Sequence, residues 1–114
     1  MHVVSLSRLL QLYGGEGRRR ALDPHQWLKA QGHAVPWTPS LGGEVIFVSH
    51  EWTGWNHPDP TGTHTETLCA ILDRLRRGDV GQVELHWMSQ LVLGGRRVVK
   101  AAEWRKRLEH AWVW

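Results

Sequence analysis

The chain has 114 residues, of which 41% are hydrophobic and 22% charged, and its net charge is +3. This length supports one globular domain at most, and the composition is too apolar for a disordered chain. Eight tryptophans and eight histidines stand beside one tyrosine and one phenylalanine. Because tryptophan side chains fill cores and interfaces, we expect these residues to lie in the core or at surfaces that contact other molecules.

The single cysteine, Cys69, excludes an internal disulfide and is typical of a reducing compartment. It falls within a predicted amphipathic helix, which favours a buried, inert thiol. The first residues lack the basic start and unbroken apolar stretch of a signal peptide, and no apolar run reaches the roughly 18 residues of a membrane span. We therefore expect a cytoplasmic protein without a membrane partner.

The first 44 residues predict two helices. Four apolar residues with helical spacing precede a Gly-Gly stop, namely Leu6, Leu9, Leu10 and Tyr13. A second short helix is predicted to begin with Asp23 as its N-cap and Pro24 in its first turn. Residues 33–43 are rich in proline and glycine. Residues 1–44 are thus interpreted as a helical N-terminal extension and linker.

The centre of the chain predicts a strand followed by a helix. Residues 45–48 (Val-Ile-Phe-Val) are consecutively apolar, which is typical of a parallel strand buried on both faces. Thr63 and Glu66 have the spacing of a capping box, and an apolar stripe follows them. A helix is expected over Thr63–Arg77, ending at Gly78.

The last third predicts two more helices and a strand. Residues 80–95 fit both helix and strand spacing, and we favour a helix; residues 101–110 fit a helix. Residues 111–114 resemble the start of a second buried strand. Because two short parallel strands cannot bury both of their faces, the chain is expected to be truncated and unstable alone. Trp112 and Trp114 are expected to show large exposed faces or to be covered by the N-terminal helix.

The most specific motif follows the predicted central strand. It reads Ser-His-x-Trp and then His-Pro-Asp-Pro-x-Gly, with Ser49, His50, Trp52, His57, Pro58, Asp59, Pro60 and Gly62. Over residues 35–114 the chain resembles a group of uncharacterised proteins from dinoflagellates and other algae. The strand with its Ser-His opening is similar to the first strand of Toll/interleukin-1 receptor (TIR)-like domains. This resemblance implies an α/β fold, a partial flavodoxin-like parallel sheet over residues 45–114.

The resemblance also implies a function. A TIR-like domain of this kind is expected to be a non-catalytic signalling or protein-interaction module within a larger protein. Enzymatic TIR domains hydrolyse NAD with a glutamate on a helix after their third strand, and Glu51 does not have that position. The alternative is a nucleotide (NAD-type) hydrolase whose active site needs residues beyond the C-terminus.

Two interpretations of the motif stay open. As a ligand site it would use Ser49, His50, Trp52, His57 and Asp59, because α/β sheets bind ligands at the carboxyl ends of their strands. As a scaffold, its prolines fix the backbone and Asp59 accepts N–H groups from the turn that enters the helix. We favour the scaffold.

No catalytic residue, metal or cofactor is expected. Ser49 and His50 are neighbours on a strand and point to opposite faces, so they do not suit a nucleophile and its base. The spacing of His50 and His57 is not that of a helical zinc site.

Basic clusters raise a third alternative. Arginines occur in short groups such as Arg18-Arg19-Arg20 and Arg76-Arg77, which can contact phosphates in a basic nucleic-acid-binding protein. No aromatic-interleaved RNA motif accompanies them, so nucleic acid is not the expected partner. A protein partner is expected, and self-association is an open alternative.

Overall fold

The computed structural model describes residues 1–49, 54–84, 86–96 and 98–114. In chain order its elements are β1 (His2–Ser5), α1 (Leu6–Tyr13), α2 (His25–Ala30), β2 (Ala34–Pro36), a 3₁₀ turn (Pro39–Leu41), β3 (Val45–Ile46), α3 (Thr63–Arg77), β4 (Val83–Glu84), α4 (Trp87–Val92), β5 (Val98–Val99), α5 (Ala101–Leu108) and β6 (Trp112–Val113). The architecture is mixed α/β, as the sequence predicts.

The main sheet has four described strands in the order β2-β1-β6-β3. The pair β3 and β6 is parallel, with Val45 opposite Trp112, whereas β1 is antiparallel to both β2 and β6. The sheet is therefore mixed, and only its β3–β6 pair has the parallel arrangement that the sequence predicts.

The prediction of a central strand at residues 45–48 is wrong. Only Val45–Ile46 is a strand, and it lies at the edge of the described sheet with both residues half-buried. Phe47 is 61% exposed. An apolar run indicates contact with other apolar groups, but it does not say which strand gains neighbours on both sides. Here β6, like β1, has a neighbouring strand on each side.

The terminal strand is better covered than the sequence suggests. The expectation of an open apolar edge at β6 is wrong, because β6 pairs with β1 on one side and β3 on the other. Trp112 is half-buried and its indole Nε1–H donates to the carbonyl oxygen of Gly42 at 3.1 Å. Trp114 keeps a large exposed face, as predicted.

The first 44 residues contribute more than helices. The prediction of α1 is confirmed, since it begins at Leu6 and ends at Tyr13. However, β1 and β2 supply half of the described main sheet, and the Leu6 N–H donates to the carbonyl oxygen of Ala111 at 2.9 Å. Four residues of β1 are too few for an alternation pattern, which is why the sequence does not reveal this strand.

The core lies where α1, α3 and α5 meet the sheet. Helix α3 packs against both α1 and α5, and α1 packs against β1 and β6. The buried core side chains include Leu6, Leu9, Tyr13, Cys69, Leu72, Leu108, Ala111 and Val113. Burying each large apolar side chain stabilises the fold by about 1.5–3 kcal/mol. Because these side chains come from both the first and the last residues, the core joins the two ends of the chain.

Helix α3 has the bounds that the sequence predicts, and its C-terminus ends as expected. Gly78 adopts a left-handed conformation with φ of 71°, and the Asp79 N–H donates to the carbonyl oxygen of Arg74 at 2.8 Å. Asp73 accepts from Arg76 and Arg77 at 3.1 and 3.0 Å.

Three other predicted elements differ in their bounds. Helix α2 begins at His25 with Pro24 at its N-cap, and Asp23 caps nothing because its carboxylate binds the Tyr13 hydroxyl. Among the described residues of the range 80–95, α4 is the one helix, and β4 precedes it. Helix α5 ends at Leu108. Among the described residues, no helix is long and apolar enough to cross a bilayer.

Candidate functional site

The described part of the motif forms a tight turn at residues 57–62. The His57 Nδ1 accepts the Asp59 backbone N–H at 3.0 Å. Since this nitrogen is an acceptor, the ring donates its other N–H, and Nε2 lies 2.9 Å from the carbonyl oxygen of Leu22. Both ring nitrogens of His57 are thus occupied by backbone groups.

Asp59 caps the N-terminus of α3. Its side chain is 1% exposed, and Oδ2 accepts both the backbone N–H and the hydroxyl of Thr65 at 2.8 Å each. Burial by itself would raise the pKa of Asp59, but the hydrogen bonds from Thr65 and from the His64 backbone lower it below its ordinary value. A carboxylate at a helix N-terminus also complements the helix dipole.

The predicted capping box is wrong. Gly62, and not Thr63, is the N-cap, while the Thr63 hydroxyl lies 2.9 Å from that of Thr61. Glu66 accepts instead from the Gly17 N–H at 3.1 Å and from Arg19 at 3.2 Å. The capping-box pattern concerns only the residues at the start of the helix. Asp59 takes the capping role instead, because the prolines on each side of it shape the turn.

Gly62 brings the start of α3 against the segment at residues 20–22. Its φ is 73°, and a Cβ at this position would lie 2.6 Å from the backbone of Arg20. The same segment supplies the Leu22 carbonyl that His57 contacts. His57, Asp59 and Gly62 therefore form a clamp between the N-terminus of α3 and residues 20–22, which we call the 57–62 clamp.

The structure brings two of the five candidate residues together. His57 and Asp59 are in contact, and the hydrogen bonds of both side chains are to other groups of the protein. Ser49 is exposed. His50 and Trp52 lie outside the described residues, as does Glu51.

An apolar groove lies beside the carboxyl end of β3. Its volume is about 290 Å³, and its lining includes Leu22, Val48, Leu68 and Ile71. This volume is just below the usual range of small-molecule sites, roughly 300–1,000 Å³. The groove can receive one apolar side chain or a small apolar group.

A larger, mixed-charge groove of about 720 Å³ lies between α1 and α3. Cys69 lines it but is only 2% exposed, and burial, with a smaller effect of Asp73, raises the pKa of its thiol to about 11. The thiol is therefore protonated at neutral pH and is a poor nucleophile. The structure thus confirms that Cys69 is buried, and its inertness stays a prediction.

The surface also carries apolar side chains that the sequence does not single out. Phe47 and Trp114 form a ring pair at the end of β3 and β6, with centroids 4.7 Å apart. A larger group lies on residues 83–99, which we call the arm: Val83, Trp87, Met88, Leu91, Val92 and Leu93 are all exposed. Their helical spacing in the sequence indicates a buried face, so only the structure shows that they face solvent.

Over the described ranges, no group of three or more His, Cys, Asp and Glu side chains is arranged to hold a metal ion. No family of known proteins, no curated protein and no solved structure matches this chain.

Proposed function

We propose that the chain is a non-catalytic protein-interaction module of the TIR-like signalling type. The observation that carries the proposal is the apolar surface of the arm, where Trp87 and Leu91 are 64% and 75% exposed. Apolar patches of this kind mark places where another molecule binds.

The candidate chemical groups support a binding role over catalysis. His57 binds the backbone of Asp59 and of Leu22 through its two ring nitrogens, and Asp59 Oδ2 accepts from Thr65, which favours structural roles for both side chains. The raised pKa of Cys69 leaves its thiol protonated at neutral pH.

The TIR-like, flavodoxin-like part of the proposal is supported by one topological feature. Strands β3 and β6 are parallel, and the chain between them includes α3 and α5, which pack on each other. A crossover through helices between parallel strands is the building unit of flavodoxin-like sheets.

Nucleic-acid binding is less well supported, because many of the arginines already have acidic partners. In the described residues the ion pairs are Arg19–Glu66, Arg20–Asp23, Arg76–Asp73, Arg77–Asp73, Arg77–Asp79, Arg96–Glu84 and Arg107–Glu44. Each pair offsets a charge that phosphate binding would use.

The proposal is tested by incubating a longer chain, which continues past Trp114, with NAD and with other nucleotides and measuring product formation, because the alternative hydrolase needs residues beyond Trp114. No turnover is expected. A matched pair of variants gives the test its specificity: His50→Ala removes a motif histidine, and His110→Ala removes an exposed histidine away from the motif. Turnover that disappears in the first variant and persists in the second would overturn the proposal and favour the hydrolase.

A further inference from the structure

The helix of the arm is oriented with its apolar side outward. Its half-buried residues are Ser89 and Gln90, and the Gln90 amide donates to Glu84 of β4 at 3.2 Å. The opposite side presents apolar side chains, with Leu91 and Val92 75% and 81% exposed. A surface helix ordinarily buries its apolar side and exposes its polar one.

The described residues of the arm form no core of their own. None of its described residues is buried, and its two strands pair only with each other in the described structure. A two-stranded sheet without a packed apolar face is marginally stable in water. A partner on the outward side of α4 would supply the missing packing.

Over its described residues, the outward face has no net charge. Helix α4 has the sequence WMSQLV, without a charged residue. Beside it, Arg96 and Glu84 bind each other through two contacts of 2.8 and 3.2 Å. A neutral face does not select a charged partner such as nucleic acid or an anionic membrane. It does allow two chains, each with a net charge of +3, to meet without local repulsion.

The apolar area of the face fits a homodimer of modest size. At usual side-chain sizes, the exposed fractions of the six arm residues amount to roughly 300–500 Å² per copy. A standard interface covers about 800 Å² per partner, about 65% of it apolar in homodimers. The face alone therefore supplies much of the apolar area that such a dimer needs.

We propose that the arm is a self-association surface, through which α4 packs against α4 of a second copy across a two-fold axis. The inference rests on the proposed function, because it names the partner of that interaction module. An isologous contact of this kind closes on itself, so the assembly is a dimer and not a filament.

The test measures the molar mass of the full chain by sedimentation equilibrium over a range of concentrations. The wild type is expected to form a dimer reversibly. Leu91→Glu places a charge at the centre of the face and is expected to weaken dimerisation about thirtyfold or more, the effect of losing an interface hot spot. Because Leu91 is exposed in the monomer, circular dichroism should show an unchanged fold.

Leu41→Glu is the matched control, since Leu41 is an exposed aliphatic residue of the 3₁₀ turn and lies outside the arm and both grooves. It is expected to dimerise like the wild type. A wild type that stays monomeric, or a Leu91→Glu variant that still dimerises, would overturn the inference. So would a monomeric wild type that co-sediments with phosphatidylserine vesicles, which would assign the face to lipid. Nucleotide turnover would count against the proposed function but would leave the mass measurement unaffected, so the two failures are distinguishable.

Discussion

Tyr13 is the only tyrosine of the chain, and its hydroxyl lies in a cluster of charged and aromatic groups. The hydroxyl donates to Asp23 Oδ2 at 2.7 Å and accepts the Asp23 backbone N–H at 3.2 Å. The Arg20 guanidinium binds the same carboxylate oxygen at 2.7 Å and lies 5.4 Å from the centre of the Tyr13 ring. This cluster holds the loop between α1 and α2 on the core.

The cluster predicts a measurable alkaline transition. Burial, followed by the hydrogen bond to Asp23, raises the pKa of Tyr13 to about 12 from an ordinary value of 10.0. Since the folded state holds this proton more tightly, its stabilising contribution is complete below pH 10 and is lost as the pH rises through about 12. The loss is expected to be about 1–3 kcal/mol.

Tyrosinate absorbance reports this titration directly, because no second tyrosine contributes. The folded chain should titrate near 12, and the chain unfolded in denaturant near 10. In Tyr13→Phe, the free energy of unfolding should lack the corresponding part of the alkaline decrease. A folded wild type that titrates like the unfolded chain would contradict the geometry of the cluster.

At the scale of single residues, the sequence predicted the role of Asp59, but it did not predict the contacts of the other residues in the 57–62 clamp. Two flanking prolines and a following helix indicate that Asp59 accepts N–H groups, and it does. The contact between His57 and Leu22 joins residues 35 positions apart. No local pattern encodes that distance, so the second half of the 57–62 clamp could not be read from the sequence.

At the scale of elements, Gly62 decides how α3 meets the rest of the chain. Gly62→Ala would strain a left-handed residue and also force a Cβ to within 2.6 Å of the Arg20 backbone. Strain alone costs about 1–2 kcal/mol, and displacing the backbone adds to it. We expect a loss of about 3 kcal/mol or more in the free energy of unfolding, measured by urea denaturation.

Gly17→Ala separates the two effects. Gly17 has φ of 74°, nearly the value at Gly62, but no atom lies within 4 Å of the added Cβ. This variant should show the strain alone. Equal losses in the two variants would mean that the close approach of α3 to residues 20–22 contributes little.

Periodicity explains which elements the sequence could predict. Helices α1 and α3 are long enough for their apolar stripes to repeat, and their predicted bounds are confirmed. Most strands have only two residues, too few for a period to appear. The arm was interpreted as a helix because its apolar residues have helical spacing, but spacing does not say whether the apolar side meets the core or the solvent.

At the scale of the whole molecule, the main sheet joins the two halves of the chain. Strand β1 lies between β2 and β6, and α1 contributes Leu6, Leu9 and Tyr13 to the core. The division into an extension at residues 1–44 and a domain at residues 45–114 stays a prediction. These contacts lead us to expect that residues 45–114 alone do not fold.

Thermal melting of residues 45–114 beside the full chain tests this expectation. The shorter chain should melt without a cooperative transition, because β6 loses its antiparallel neighbour and α3 loses α1. Adding residues 1–44 as a separate peptide should restore part of the transition. A sharp transition in the shorter chain alone would support two independent units.

The central position of β6 also sets an order of events during synthesis. Neither β1 nor β3 can gain this neighbour until residues 112–113 have left the ribosome. At a synthesis rate of about 5–20 residues per second, roughly 3–13 s pass between the translation of β3 and the translation of β6. During that interval, chaperones can bind the edges of β1 and β3 that later pair with β6. The pairing of β1 with β6 joins residues far apart in the sequence, so it is expected to be a slow step of folding.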